Sequence, residues 1–217
     1  MSETVLSSGP CPEVMIADHS PIVRYGIKSL LKQHFPGTKV REAESGRQVM
    51  GHYHENTGGG ILVIDPNLPD ADPQTLIQGI LLRKPDLPIL VLSISKEELF
   101  GPLYLKIGAK GFLNKRCPEQ EIVQAVGMLV QGKRYIRMEM QELYLDCSRW
   151  SSPYERLTRR EREVLKYLVQ GESVTSISRR TNNSTNTVST HKSNIFKKLR
   201  LGNLIELKLL VDSHPID

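Results

Sequence analysis

The apolar residues of this chain follow two different periods in its two parts. Up to about residue 131, short apolar runs alternate with longer amphipathic stretches. The runs 61–64 and 89–92 are continuously apolar, which is typical of parallel strands covered by helices on both faces. The predicted strands are 14–17, 39–42, 61–65, 89–93 and 111–114.

A stretch with helical spacing follows each of these runs. In the first, Ile22, Val23, Ile27 and Leu30 recur with the period of an amphipathic helix. The predicted helices are 21–34, 46–54, 73–83, 97–107 and 119–131, and we expect the fourth to start late or to be irregular because Gly101-Pro102 interrupts it. Five strand–helix units in succession predict an α/β domain with a doubly wound, five-stranded parallel sheet.

The alternation stops after residue 131. Residues 132–152 are interpreted as a linker with one amphipathic helical stretch, and residues 153–217 as an all-α domain. Four short helices are predicted there, at 159–169, 173–181, 185–199 and 203–211. Thr158 and Glu161 have the spacing of a capping box at the first of them. A polar turn between the second and third is typical of a helix-turn-helix, so the domains are 13–131, 132–152 and 153–217.

The excess positive charge lies entirely in the last third of the chain. The net charge is +5, and residues 153–217 contain 12 Lys and Arg against 7 Asp and Glu, whereas residues 1–152 contain 17 of each. A neutral domain joined to a basic one predicts that the basic part contacts a polyanion such as double-stranded DNA.

Composition also indicates a compartment. No apolar run approaches the roughly 18–20 residues that span a bilayer, and the first residues lack the pattern of a secretory signal. The three cysteines, Cys11, Cys117 and Cys147, are widely spaced and odd in number. We therefore expect no membrane association and a reducing, cytoplasmic location.

Four chemically distinctive residues follow the predicted strands. Asp18, Asp65, Ser93 and Lys115 each stand at the carboxyl end of a strand, where the loops of a doubly wound sheet converge. A lysine and a hydroxyl can accept the charge of a phosphoryl group, and carboxylates can hold a divalent cation. The pattern predicts a site for phosphoryl chemistry.

The same segments resemble a known family. Residues 13–131 resemble the receiver domain of two-component response regulators in the segments VMIADHSPIVRYGIKSLL, ILVIDPNLPDADP, PILVLSIS and GAKGFLNK. Residues 157–212 resemble the LuxR-type helix-turn-helix in the segment LTRREREVLKYLVQGESVTSISRRTNNSTNTVSTHKSNIFKKL. In this order they resemble the NarL/FixJ family of response regulators, with a polar turn similar to that of its RcsB-like branch. The resemblance implies a CheY/flavodoxin-like receiver followed by a four-helix DNA-binding domain.

The resemblance also assigns roles in the receiver. It implies that Asp65 is the phosphorylated residue, that Ser93 and Phe112 are switch residues, and that Lys115 is the lysine beside the phosphoryl group. The donor would be a sensor histidine kinase, and a heteromeric regulator partner is a further possible binding partner.

One acid of the family pattern is missing. The resemblance implies a Mg²⁺ site formed by Asp18, Asp65 and the carbonyl of Asn67, but His19 stands where the family has a second acid. Since Mg²⁺ prefers carboxylate oxygen to imidazole, we expect a weak site.

The C-terminal domain is expected to bind DNA as a homodimer. The predicted third helix would enter the major groove, and its outward positions are Thr185, Thr187, Ser189, Thr190, Lys192, Ser193 and Lys197. The last helix is apolar on more than one face. In the family this helix pairs two DNA-binding modules, which implies contacts through Leu204, Leu207 and Val211.

Three functions remain open at this point. The first is a transcription regulator, not an enzyme, controlled by phosphorylation of Asp65 or by partner binding. The second is a haloacid-dehalogenase-like phosphotransferase with Asp65 as nucleophile. Such an enzyme usually has a second aspartate two residues after the nucleophile, and Asn67 at this position speaks against the hypothesis. The third is a degenerate receiver that acts as an interaction or auxiliary transcription regulator without phosphate.

Overall fold

The computed structural model describes residues 13–54, 60–148, 152–213 and 216. The chain divides into two compact units, Met1–Tyr144 and Leu145–Asp217. The strands are β1 (Glu13–Ala17), β2 (Lys39–Ala43), β3 (Ile61–Ile64), β4 (Ile89–Ser93) and β5 (Gly111–Asn114). The helices of the first unit are α1 (Pro21–His34), α2 (Gly46–His54), α3 (Pro73–Arg83), α4 (Glu97–Lys106) and α5 (Glu119–Val130), and α6 (Met138–Ser148) crosses the boundary between the two units.

The five strands form one parallel sheet in the order β2-β1-β3-β4-β5. The doubly wound architecture is confirmed, and most element bounds agree with the prediction to within a residue or two. One core cluster joins alternate strand residues to α1 and α5, among them Val14, Leu31, Val63, Leu113 and Val126. Because strand side chains alternate, the intervening residues face the opposite side of the sheet.

Helix α4 differs from the prediction. It begins at Glu97 and continues through Pro102 to Lys106, so the expectation of a late start is wrong, and Gly101-Pro102 does not interrupt the helix. Proline removes one backbone hydrogen bond from the helix. Here its neighbours Leu99, Phe100 and Leu103 are all buried, and the burial of their apolar surface offsets the missing bond.

Part of the predicted linker packs on the first unit. Tyr135 forms a parallel bridge with Gly111 of β5, and both Tyr135 and Met140 are buried. The amphipathic helical stretch expected between residues 132 and 152 is α6. The segment that follows α5 therefore extends the packed structure of the first unit beyond residue 131, whereas the exact domain bounds stay a prediction.

A buried acid lies under this segment. The Glu97 side chain is 7% exposed, and its Oε2 is 3.2 Å from Nη1 of Arg137. Arg137 also forms an ion pair with Glu121, whose other oxygen accepts a hydrogen bond from the Tyr135 hydroxyl. Burial raises the pKa of Glu97 to about 7, although Arg137 acts in the opposite direction.

This raised pKa predicts a pH-dependent stability. Since the folded state retains a proton that the unfolded state has released, the free energy of unfolding should fall as the pH rises from about 4.5 to about 7. A loss of about 1–3 kcal/mol is expected, because one pKa unit corresponds to about 1.4 kcal/mol. Chemical denaturation of the full chain across this range measures it. Glu97→Gln should remove this part of the slope, and Glu98→Gln, at an exposed position of the same turn, should leave it; equal slopes in all three proteins would contradict the assignment.

The second unit is helical. A 3₁₀ turn (Pro153–Arg156) precedes α7 (Arg159–Val169), α8 (Val174–Arg180), α9 (Thr185–Lys198) and α10 (Leu204–Ser213). Helix α7 contacts both α9 and α10, and α8 contacts α9. Within the described parts of the chain, no helix has the length and apolar character needed to cross a membrane.

Glu161 closes the capping box of α7 and also forms an ion pair with Lys198 of α9. The predicted box is present, because the Thr158 hydroxyl accepts from the Glu161 N–H and the Glu161 carboxylate accepts from the Thr158 N–H. Glu161 Oε2 also accepts from Lys198 Nζ at 2.7 Å. Burial raises the pKa of Glu161, but the hydrogen bonds from Lys198 and Thr158 outweigh it and hold the pKa below its usual value. The carboxylate therefore stays charged at neutral pH.

Candidate acidic pocket and recognition helix

Three of the predicted pocket residues are in direct contact. Lys115 Nζ lies 2.5 Å from Asp18 Oδ2 and 2.6 Å from Asp65 Oδ2. The side chains of Asp18 and Asp65 are only 2% and 4% exposed. One ammonium thus bridges two buried carboxylates, which leaves the group with one net negative charge.

Parallel pairing explains why residues so distant in sequence converge. Each of the three follows a strand by one residue, and its backbone N–H continues the ladder: Asp18 donates to Ala43 and Asp65 donates to Ala17. In the same way, Lys115 donates its N–H to the carbonyl of Ser93. Because neighbouring strands run in one direction, these residues leave the sheet at the same edge.

The lysine remains protonated in this setting. Burial lowers the pKa of Lys115, but the hydrogen bonds to Asp18 and Asp65 and their charges outweigh it, so the pKa lies above its usual value. A permanent positive charge beside Asp65 suits a site where negative charge is added. Lys115 can pair with phosphoryl oxygens at Asp65 as it now pairs with carboxylate oxygens.

The remaining predicted ligands lie around the two carboxylates. His19 is 60% exposed, with Nδ1 3.8 Å from Asp18 Oδ1. One possible ligand atom from each of Asp18, His19 and Asp65 lies within 4.8 Å of the others. Asn67 meets Asp65 Oδ1 through its backbone N–H at 2.9 Å and its side-chain amide at 3.3 Å. The carboxylates fit a divalent cation, and the use of the Asn67 carbonyl stays a prediction.

Three contacts that position the pocket loops are not visible in the sequence. Arg24 donates to the carbonyl of Asp18 at 2.6 Å, and Glu42 on β2 accepts from the same guanidinium. Asp70, at φ 70°, accepts from the Gly46 N–H at the start of α2. These partners lie 6 to 24 residues apart, so no local pattern could reveal them.

The predicted switch residues are buried next to the pocket. Ser93 ends β4, is fully buried, and its hydroxyl accepts from the Ser95 N–H at 3.2 Å. Phe112 on β5 stacks on Tyr104 of α4, with ring centroids 5.8 Å apart. The structure therefore joins Phe112 to α4, and it directs the Ser93 hydroxyl to its own loop and not to Asp65.

Helices α8 and α9 form the predicted helix-turn-helix. Both are capped by serine hydroxyls, Ser173 accepting from Ser176 and Ser184 accepting from Thr187. The turn between them contains Asn182 at φ 52°, which is a left-handed conformation that asparagine tolerates. Ile177, Val188 and Ile195 are fully buried, so the inward face of the motif is fixed by packing.

The predicted DNA-contacting residues lie on the outward face of α9. Six of them are exposed and Lys192 is half-buried: Thr185, Thr187, Ser189, Thr190, Lys192, Ser193 and Lys197. The Lys192 ammonium lies over the Phe196 ring, 5.8 Å from its centroid. On α8, Arg180 is already engaged, since it pairs with Glu172 and stacks on Tyr167.

Helix α10 requires one correction. Leu207 is 1% exposed, so the prediction that it forms a dimer contact is wrong: its phase on the helix turns it inward with Leu210. Leu204 is 47% exposed and Val211 is half-buried. Ile205, which the prediction omitted, is 73% exposed and adds to the apolar surface of this helix.

Comparisons with known proteins agree with this architecture. Residues 14–127 match the family of response regulator receiver domains, and residues 155–211 match the luxR family of bacterial regulatory proteins. The Fimbriae Z protein of Salmonella typhimurium is 30% identical over 94% of this chain and 97% of its own. The response regulator GacA of Pseudomonas protegens is 29% identical over 93% of this chain and 95% of its own.

A solved structure is similar over nearly the whole chain. RcsB from Salmonella enterica serovar Typhimurium, bound to promoter DNA in the presence of the phosphomimetic BeF3-, matches with a TM-score of 0.79 and 27% identity. The match covers 94% of this chain and 99% of that one.

Proposed function

This chain belongs to the NarL/FixJ family of response regulators, and from that premise we propose that it is a transcription regulator that binds double-stranded DNA through α9 and is controlled through Asp65. The observation that carries the proposal is the contact of Lys115 with both Asp18 and Asp65 on a chain that also presents an exposed, polar α9. The similar RcsB structure, which is bound to promoter DNA, supports the proposed binding of DNA.

Asp65 is the group that would accept the phosphoryl group. Its carboxylate oxygen attacks phosphorus in the phosphohistidine of a sensor kinase, the P–N bond breaks, and an acyl phosphate forms on Asp65. Lys115 then pairs with the transferred phosphoryl oxygens. The N–H groups of Asn67 hold the Asp65 carboxylate in place, so the nucleophile is oriented before the donor arrives.

The cation of the family would be held by Asp18, Asp65 and the carbonyl of Asn67. Bound Mg²⁺ would supply positive charge against the negative charge of the phosphoryl group. His19 withholds the oxygen ligand that a second acid would provide, and Lys115 already neutralises part of the carboxylate charge. Mg²⁺ affinity is therefore low compared with receivers that have two acids at this point.

A labelling experiment tests the role of Asp65. Incubation of the full chain with a small phosphodonor and a divalent cation should add the mass of one phosphoryl group, read by intact-mass spectrometry. Asp65→Asn should remove the added mass, because the amide is not a nucleophile of comparable strength. Asp72→Asn, at an exposed acid of the same loop, should label like the parent. Labelling that persists in Asp65→Asn would refute the assignment.

A second candidate is a receiver that acts without phosphate. His19 in the place of an acid and the closed bridge of Lys115 to both carboxylates favour it. In this case the receiver pairs with another regulator, and binding of that partner controls the DNA-binding unit. The same mass experiment separates the two, since this candidate requires no labelling of the parent.

The proposed regulator is not an enzyme. A phosphatase-like use of Asp65 needs an acid two residues on, to protonate the leaving group. That position holds Asn67, whose amide donates to Asp65 and cannot exchange a proton at neutral pH. A phosphoryl group on Asp65 is thus a signal and not an intermediate in turnover.

DNA binding is proposed to require two copies of the second unit. Threonine and serine side chains discriminate bases weakly, so a single α9 supplies mainly phosphate contacts. The outer surface of α10, with the exposed Leu204 and Ile205 and the half-buried Val211, would pair two units and set the half-site spacing. Pairing then raises the affinity through effective concentration.

Lys192 tests the phosphate contacts. Lys192→Ala should weaken binding to a DNA fragment with two half-sites and lower the slope of log Kd against log salt by about 1, because each phosphate contact releases about one counterion. Fluorescence anisotropy at several salt concentrations measures both. Arg160→Ala, at an exposed cation of α7 paired with Glu163, is the control and should retain the slope. A Lys192→Ala slope equal to that of the parent would place the phosphate contacts elsewhere.

A further inference from the structure

The acidic pocket offers a cation a mixed set of donors. Asp18 and Asp65 present carboxylates and His19 presents an imidazole, with one ligand atom of each within 4.8 Å of the others. The His19 ring is 60% exposed, so packing does not prevent it from rotating toward the carboxylates. Its Nδ1 already lies 3.8 Å from Asp18 Oδ1.

The lysine bridge leaves one side of the pocket to His19. Lys115 contacts Oδ2 of both Asp18 and Asp65, whereas the His19 nitrogen lies beside the other oxygen of Asp18. The two buried carboxylates are thus flanked by an ammonium on one side and an imidazole on the other. Only one net negative charge remains to attract a cation.

This donor set suits some cations better than others. Mg²⁺ prefers oxygen ligands in near-ideal octahedral geometry and gains little from an imidazole. Divalent ions of the first transition row bind imidazole well, with affinities that rise from Mn²⁺ toward Cu²⁺. When the site carries little negative charge, the bond between the metal and the imidazole nitrogen contributes a larger share of the binding free energy.

We propose that His19 is a direct ligand in this pocket and converts it from a Mg²⁺ site into one that selects a first-row transition-metal dication. The inference rests on the pocket being the cation site of the proposed function, and it deepens that function by naming the class of ion. A cation held by Asp18, His19 and Asp65 would leave Lys115 in place for a phosphoryl group.

The test compares Co²⁺ and Mg²⁺ on the full chain without a phosphodonor. Because mixed nitrogen and oxygen sites in general bind Co²⁺ more tightly than Mg²⁺, the informative quantity is the ratio of the two Kd values, measured by calorimetry in the parent and in variants. His19→Asp should tighten the binding of Mg²⁺ by about tenfold and weaken the binding of Co²⁺ by about tenfold. The Kd for Mg²⁺ divided by the Kd for Co²⁺ should therefore fall by roughly 100-fold.

A spectroscopic readout reports the ligand itself. The pulsed EPR spectrum of Mn²⁺ bound to the parent should show coupling to an imidazole nitrogen, and this coupling should vanish in His19→Asp. His19→Gln, which removes the imidazole without adding charge, should lose the coupling and Co²⁺ affinity without any gain for Mg²⁺. This variant keeps the proposal testable if the extra acid disturbs folding.

Two controls locate the effect. His54→Asp makes the same change at an exposed histidine of α2 and should leave the ratio unchanged. Asp65→Asn should weaken both ions. An unchanged ratio in His19→Asp, or an equal effect of His54→Asp, would overturn the proposal. These outcomes are independent of labelling at Asp65: labelling with an unchanged ratio rejects only the ion preference, and a switched ratio without labelling rejects only phosphorylation control.

Discussion

Leu207→Asp is expected to unfold the C-terminal unit. Leu207 is 1% exposed and lies on α10, which contacts α7. Removing a buried leucine side chain costs about 3–5 kcal/mol, and a carboxylate left there without a partner adds several more. The sum is comparable with the roughly 5–15 kcal/mol that stabilises a typical domain. Circular dichroism and limited proteolysis should show loss of helical structure beyond residue 145, with loss of DNA binding.

Leu204→Asp is the matched control for this change. It places the same charge on the same helix, but at a residue that is 47% exposed. The unit should stay folded, and the charge should impair pairing, so that only weak single-unit DNA binding remains. A folded Leu207→Asp unit would show that this leucine is not part of the core, and a fully paired Leu204→Asp protein would remove α10 as the pairing surface.

Lys115→Met should produce a large loss in the free energy of unfolding of the first unit. The substitution leaves Asp18 and Asp65 buried beside each other without a counter-charge. Breaking a buried ion pair from one side costs about 3–5 kcal/mol, so the free energy of unfolding should fall by about that amount at neutral pH.

Lys28→Met provides the comparison. Lys28 pairs with Glu42 at 2.8 Å, but the lysine side chain is 37% exposed, and exposed pairs contribute about 0–1 kcal/mol. Urea denaturation of both variants at neutral pH measures the difference. Equal stabilities for the two variants would mean that the Lys115 bridge does not hold the pocket loops together.

The receiver pocket was predictable because its residues occupy fixed places in a repeating pattern. Asp18, Asp65 and Lys115 each follow an apolar run, and parallel strands bring such positions to one edge of the sheet. The pattern could not show that one ammonium contacts both carboxylates, nor that Arg24 holds the loop of Asp18. Those contacts depend on side-chain directions in three dimensions.

Two segments differ from what their local sequence suggests, and the physical reason is the same in both. Pro102 predicted an interrupted helix from local propensity, but burial of its neighbours on the first unit outweighs one lost hydrogen bond. Tyr135 lies in a stretch whose composition resembles a linker and also pairs with β5, although the exact domain bounds stay a prediction. In both cases a long-range contact overrides a local signal.

The sequence by itself determined the class of the protein. Alternating strand and helix periods, the segregation of all net positive charge into residues 153–217, and the spacing of Asp18, Asp65 and Lys115 are properties of the linear chain. They are readable because local periodicity and charge do not depend on partners. Only the tertiary structure decided which apolar residues of α10 face inward, and that Arg137 covers Glu97. A helix with apolar residues on several sides has no unique inward face until another element packs against it, and α10 is in contact with α7.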